Sequence, residues 1–353
     1  MTKLEAFRNA MKSRKLDAVL VTDELNQRYL TGFPITDGYC LVTQKTAALL
    51  TDFRYKEEAL SKVSDFEVVV PESFFAYIDS VTEAEKIKKI GFEDLLLPCA
   101  ERDRIAKYLR AKLVPAGDLF DGMRLHKWED ELDCMRAAQA IADRAFADVL
   151  GRLQPDMTEH EVALELEFTM RRMGAENVSF ETICVSGSAS SLPHGKPRNQ
   201  KLERGFLTMD FGCKIGGYCS DMTRTVVVGK ADAEMKRLYQ TVLDAQLAAL
   251  AVIGPGKDCA QVDSAARDLI YAAGYEGCFG HGLGHGVGLL IHEAPRLSQI
   301  WKGRSLEVGH VVTVEPGIYI AGKYGCRIED MGVVTQNGFE NFTKSPKELI
   351  ELF

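Results

Sequence analysis

Through its first third the chain alternates short apolar runs with amphipathic stretches. LDAVLVT (16–22), GYCLVT (38–43) and TAALLTD (46–52) are compact apolar runs that predict buried strands. Leu4, Phe7, Met11 and Leu16 recur at roughly helical spacing ahead of the first of them. KIKKIGFED (86–94) adds another strand after a charged stretch. Together they predict a self-contained α/β domain that closes near residues 117–123, giving domains at 1–122 and 123–353. A long helix then starts near Trp128, with Leu132, Met135, Ala138, Ala142, Phe146 and Val149 at steps of three and four, and Gln154–Pro155 ends it. Thr158 with Glu161 forms a capping box for a second helix, which carries Val162, Leu166, Met170 and Met173 on one face and Gly174 as its C-cap. Beyond it the rhythm turns strand-like in ENVSFETICVSG, FLTMDFGCKIGGYCSDMTRTVVVG, HVVTVEPGIYI and RIEDMGVVT. A helical interval from about Ala231 to Ala273 lies between them.

Composition narrows the class. At 353 residues the chain has room for two domains, each with its own core. A net charge of -8 argues against unspecific binding to nucleic acid or an anionic membrane. No apolar run reaches the roughly 18 residues of a membrane span, and the N-terminus has no apolar signal core. Nine cysteines are scattered without a CxxC pair. That pattern fits a reduced cytoplasmic protein whose cysteines are mostly small core residues.

The chemistry lies in the C-terminal half. Asp210 (LTMDFG), Asp221 (CSDMTRT), His285 (GHGLGHGVGL), Glu315 (VEPGIY) and Glu329 (RIEDMG) are four carboxylates and one imidazole. That is the inventory for two divalent ions sharing a site, and it points to a hydrolytic two-metal enzyme. Asp210 and Asp221 flank KIGGY, which reads as a turn. A turn at Ile215–Gly216 sets the two aspartates directly opposite. A turn at Gly216–Gly217 offsets them by two residues and keeps them on one face. Glu315 and Glu329 repeat the arrangement around a turn containing Gly322 or Gly325. A carboxylate inside a buried strand needs a partner charge or a metal. Arg327, two residues from Glu329, shares its strand face, so a buried Arg–Glu pair is the competing structural explanation. Oxygen ligands with one imidazole suit manganese, cobalt, iron or zinc; no cysteine is required and no HExxH motif is present.

Taken jointly, these motifs resemble the pita-bread metallopeptidase family, in its Xaa-Pro aminopeptidase and Xaa-Pro dipeptidase (prolidase) branch. LNQRYLTGF and LLTDFRY resemble the creatinase-type N-terminal domain more weakly. The resemblance implies an α+β pita-bread catalytic domain preceded by a smaller α/β domain. It also implies two divalent metal ions per subunit, manganese or cobalt, with zinc or iron as alternatives. Asp210 would bind one ion, His285 and Glu315 the other, and Asp221 and Glu329 would bridge them, with a metal-bridging water or hydroxide as nucleophile and Glu315 as general base. Arg327 would sit behind the ligands. His194 (LPHGKPRN), His281 (FGHGLGH) and His292 (LLIHEAP) match family positions for catalysis and proton handling. His194 and His292 would also bind substrate, and Arg296 (HEAPRLS) would receive the carboxylate of a proline dipeptide. His126, His160 and His310 match no motif. The implied substrates are small peptides with proline in second position, and the implied assembly is a homodimer. The rival readings are a methionine aminopeptidase-like or creatinase-like hydrolase and a catalytically silent binding protein of the same fold.

Overall fold

The computed structural model describes residues 1–353, and the chain forms two compact units, Met1–Arg124 and Leu125–Phe353. The N-terminal unit is built on a six-stranded mixed sheet. Its strand order is Glu67–Val69, Ala47–Leu50, Tyr39–Thr43, Ala18–Val21, Lys89–Phe92, Lys112–Pro115. The three apolar runs and KIGF are its central strands. Helix Lys3–Ser13 opens with a Thr2/Glu5 capping box and buries Leu4, Phe7 and Met11; Leu16 is buried just beyond it. The buried Glu93 carboxylate accepts hydrogen bonds from Thr22 N, Thr22 Oγ1, Asp23 N and Asn26 Nδ2, which satisfies it without any metal.

The C-terminal unit uses one plan twice. Helices Glu129–Leu150 and Glu159–Arg172 precede a hairpin built on strands Gly205–Phe211 and Met222–Val228. Helices Ala233–Val252 and Cys259–Ala272 precede a second hairpin built on Val311–Val314 and Asp330–Thr335. Each half therefore supplies one pair of acids. Several local expectations need adjustment. The first long helix stops at Leu150, before Gln154–Pro155, with Gly151 as C-cap. The second ends on Met173, and Gly174 follows it at φ +104°. The helical interval is two helices, broken at Gly254–Pro255–Gly256 and restarted by Asp258, whose carboxylate caps Ala260 and Gln261. No helix is long and apolar enough to cross a membrane.

Turn chemistry settles the register of the first hairpin. Gly216 and Gly217 both have positive φ (+58° and +83°), so they are the turn, with Ile215 opposite Tyr218. The same register carries through to Asp210 opposite Thr223, which leaves Asp210 and Asp221 offset by two residues. At Gly212 the hairpin passes from one sheet to another. A Cβ there would lie 1.9 Å from Ser220 O, so only glycine permits the crossing. The second hairpin turns at Gly322, while Gly325 sits within its strand. Its register is constant from Ile320–Tyr324 through Gly317–Arg327 to Val314–Asp330, which brings Glu315 opposite Glu329.

Candidate metal centre

The two hairpins meet where residues 327–330 lie against residues 223–225. Glu329 N donates to Thr223 O, and Thr225 Oγ1 donates to Arg327 O. This seam brings Asp210, Asp221, Glu315 and Glu329 together inside the unit. His285 reaches them from the short strand Gly284–Gly286. A Cβ on Gly284 would lie 2.0 Å from Thr313 O, and one on Gly286 2.2 Å from Ala294 O. The glycines on either side let neighbouring backbone close on the histidine.

The hydrogen bonds of His285 decide its tautomer. Its Nδ1 lies 3.0 Å from the Gly286 carbonyl, which can only accept, so Nδ1 carries the proton. The Nε2 lone pair then faces Asp221 Oδ2 at 3.5 Å and Glu315 Oε1 at 3.4 Å. A lone pair this close to two carboxylate oxygens is repelled by them unless a cation lies between. Ligand atoms of Asp221, His285 and Glu329 all lie within 4.8 Å of one another. Asp210 Oδ2 accepts from Arg327 at 2.6 Å, whereas Asp210 Oδ1 is buried with no partner. Asp210, Asp221, Glu315 and Glu329 thus place four negative charges against one guanidinium, a deficit of three. Like charges about 4 Å apart repel by about 4 kcal/mol at an effective dielectric near 20. Arg327 alone cannot offset several such pairs. Burial, and after it the neighbouring carboxylates, raises the Asp221 and Glu329 carboxyls well above the usual range. Burial pushes Glu315 up to about 8, with Arg327 opposing, and lowers the His285 imidazole to about 3, which keeps it neutral. Neutral imidazole, an orphaned carboxylate oxygen and uncompensated carboxylates are the donor set that divalent cations fit.

All ten residues singled out above line one cavity of about 910 Å³. The metal-type residues and Arg327 form its floor. His194, His292 and Arg296 are exposed on its walls, the His292 ring 4.4 Å from that of His285 in an edge-on arrangement. His281 does not touch the carboxylates. Its Nδ1 donates to Gly282 O, so its Nε2 accepts the Tyr319 hydroxyl proton at 3.0 Å. Tyr319 in turn accepts from Arg327, which completes a line from His281 to Asp210. Burial lowers the His281 imidazole to about 4, assisted by the charge of Arg327. The ion pair of Arg327 is with Asp210, 117 residues away, so the competing Arg–Glu pair within its own hairpin does not form. Its Nε also donates to Thr223 Oγ1, which donates to Glu329 Oε2 at 2.7 Å.

Three cavity neighbours escaped the sequence reading. Thr223 lies two residues beyond Asp221, Tyr319 closes the EPGIY motif, and His160 lines the outer cavity although it matched no motif. A second grouping, His126, Glu307 and His310, is not equivalent. His310 Nδ1 accepts the Glu307 N–H, so its other nitrogen carries the proton and no lone pair is left for a metal.

Comparison with known proteins agrees with this geometry. Residues 133–336 match metallopeptidase family M24, and residues 3–126 match the creatinase/prolidase N-terminal domain. The chain belongs to this family of peptide hydrolases and has its two-domain architecture, a creatinase-type domain followed by a pita-bread catalytic domain; divalent metal dependence comes with the family. An Xaa-Pro dipeptidase of Pyrococcus horikoshii is 37% identical over 352 residues, covering 99% of this chain and 98% of that one. A solved Xaa-Pro dipeptidase from Bacillus anthracis superposes with a TM-score of 0.95 at 41% identity, covering 99% of both chains. A solved X-Pro aminopeptidase from Thermotoga maritima gives 0.92 at 36% identity, covering 98% of this chain and 100% of that one.

Proposed function

We propose that this chain is a dinuclear metallo-exopeptidase that hydrolyses the bond between an N-terminal residue and proline. The observation that carries the reading is the charge deficit on the cavity floor, four carboxylates and a lone-pair-bearing imidazole against one guanidinium. Asp210 would hold one ion, His285 and Glu315 the other, and Asp221 and Glu329 would serve both. When bound, the two ions supply a water of lowered pKa as nucleophile and polarise the scissile carbonyl. Manganese or cobalt suits this oxygen-rich set, with zinc or iron as alternatives.

The chain's own residues do the rest. Glu315 accepts the proton of the attacking water at its carboxylate. His292, beside His285 and open to the cavity, donates a hydrogen bond at the scissile carbonyl. His194 lines the proline side. Neutral His281 lies behind Asp210: it accepts from Tyr319, whose oxygen accepts from the Arg327 guanidinium that pairs with that carboxylate. Its similarity to Xaa-Pro dipeptidases and an X-Pro aminopeptidase supports the proline preference. The preference has a physical use: an Xaa-Pro bond lacks an N–H and restricts the residue before it, so proteases that bind extended backbone handle it poorly.

Arg296, exposed on the cavity wall, receives the proline carboxylate in this reading, and that contact favours dipeptides. A cytoplasmic homodimer completes the reading. All nine cysteines are free and six of them are buried, as a reducing compartment allows. The test compares initial rates on Ala-Pro and Ala-Pro-Ala after chelation and manganese addition. Restored cleavage of the dipeptide alone supports the dipeptidase reading. Equal or faster cleavage of the tripeptide makes the enzyme an aminopeptidase, and hydrolysis of neither with any of the four metals overturns the proposal.

A further inference from the structure

The segment that carries His194 runs from the end of strand Ile183–Ser186 to the start of strand Gly205–Phe211, and only its first residues, Gly187–Ser191, form a helical turn. Between Leu192 and Arg198 its backbone makes few bonds: Leu192 N to Ala189 O, Gly195 N to Leu192 O, Arg198 N to a side chain, and a long contact (3.3 Å) from Arg327 Nη1 to Pro193 O. A residue that must meet a substrate with sub-ångström accuracy needs firmer support than this.

That support comes from the first turn of helix Glu159–Arg172. A helix leaves its first backbone amides without internal partners. Here Glu159 N donates to Gln200 O and His160 N to Arg198 O, so the helix end takes up the carbonyls of the segment. The Glu159 side chain is fully buried and accepts five hydrogen bonds. Ser186 N (2.6 Å) and Ser186 Oγ (2.8 Å) come from the residue before the segment. Arg198 N (3.0 Å), Nε (2.8 Å) and a terminal guanidinium nitrogen (2.6 Å) come from four residues beyond His194. Burial works to raise the Glu159 carboxyl, but the bonds from Arg198 and Ser186 outweigh it and hold it below its ordinary range. The group is therefore an anion at neutral pH, with both oxygens engaged.

We propose that Glu159 is a positioning residue for His194: one buried carboxylate staples both ends of residues 187–197 and so fixes the imidazole on the cavity wall. The inference rests on the reading that His194 touches the substrate. Glu159 itself does not line the cavity, although its neighbour His160 does. Its effect on catalysis passes through the segment it closes.

A double-mutant cycle in the full-length, manganese-loaded enzyme tests this, with hydrolysis of Ala-Pro and bound metal as readouts. Glu159→Gln is expected to lower kcat/KM on the order of 10- to 100-fold with metal content unchanged. His194→Ala should then cost much less in the Glu159→Gln background than in the parent, because the imidazole is already misplaced. A purely structural role would leave the two effects multiplicative. If His194→Ala costs the same factor in both backgrounds, Glu159 does not position it, and the proposal fails while the reading of His194 stands. If His194→Ala has no effect in the parent, that reading fails and takes the proposal with it. Should Glu159→Gln not fold, Arg198→Lys replaces it in the cycle. It keeps the charge but loses the forked contact of a partly exposed partner, and the same coupling is expected at smaller amplitude.

Discussion

Glu329 and Asp330 are consecutive, equally buried residues in opposite electrostatic situations. Alternation along the chain sends one carboxylate to each face, and the strand across the seam, Met222–Val228, answers in step, with Thr223 toward Glu329 and Arg224 toward Asp330. Asp330 meets Arg224 at 2.9 Å, Lys347 at 2.7 Å and Asn341 at 2.7 Å. Burial alone would raise its carboxyl, but the two cations override it and hold it below the ordinary range. Glu329 meets three more carboxylates, and burial with their charges raises it well above the ordinary range. One cluster is balanced by the chain's own side chains. The other is short of positive charge on the floor of a cavity, where the chain offers only one guanidinium to four carboxylates. The difference separates a structural ion cluster from a site that requires external cations.

The sharpest way to break the comparison is to remove one charged side chain from each side. Asp221→Ala or Glu329→Ala should abolish hydrolysis of Ala-Pro and lower bound metal; full activity with two ions retained in either variant would contradict the shared-ligand assignment. In the metal-free chain, Asp221→Asn should raise the melting temperature, because it relieves repulsion. On the Asp330 side, Arg224→Met leaves Asp330 Oδ1 and the buried carbonyls of Glu329 and Ser345 without their donor and should cost about 3–5 kcal/mol in urea unfolding. A change below about 1 kcal/mol would show that the cluster is not paired as described.

Smaller changes sharpen the contrast. Thr223→Val removes the hydroxyl that donates to Glu329 and accepts from Arg327. Metal affinity, followed by competition with a chelator, should weaken by about 10- to 100-fold with the fold intact. The smallest effect is in acid. The carboxyl of Asp330 is depressed in the folded chain, so its contribution to stability is complete above the unfolded value near 3.9 and is lost as pH falls through the folded value. Urea midpoints of the parent should therefore drop more steeply below about pH 4 than those of Asp330→Asn. Parallel slopes would remove Asp330 from the account.

Much of this was legible along the chain, for reasons that differ by region. Acids inside apolar strands, as in VEPGIYI and LTMDFG, stand out because burial makes them costly, and every residue singled out on that ground or by resemblance lies on the one cavity. Hairpin geometry was readable to within one choice of turn, which the positive φ of Gly216 and Gly217 resolves. Contacts between the two halves were not readable. Arg327 shares a strand face with Glu329, yet it pairs with Asp210 across the seam. Thr223 looks like any strand-forming residue until Glu329 is brought to its hydroxyl. Nothing along the sequence singles out Glu159, and only the fold shows the two chain segments that converge on it.

The most direct test of the central claim is a titration of metal-free, full-length protein with manganese, following bound ion and Ala-Pro hydrolysis together. The account predicts two ions bound per chain and activity that appears as the site fills and disappears on chelation. Saturation at one ion, no binding, or hydrolysis that survives complete metal removal would contradict it.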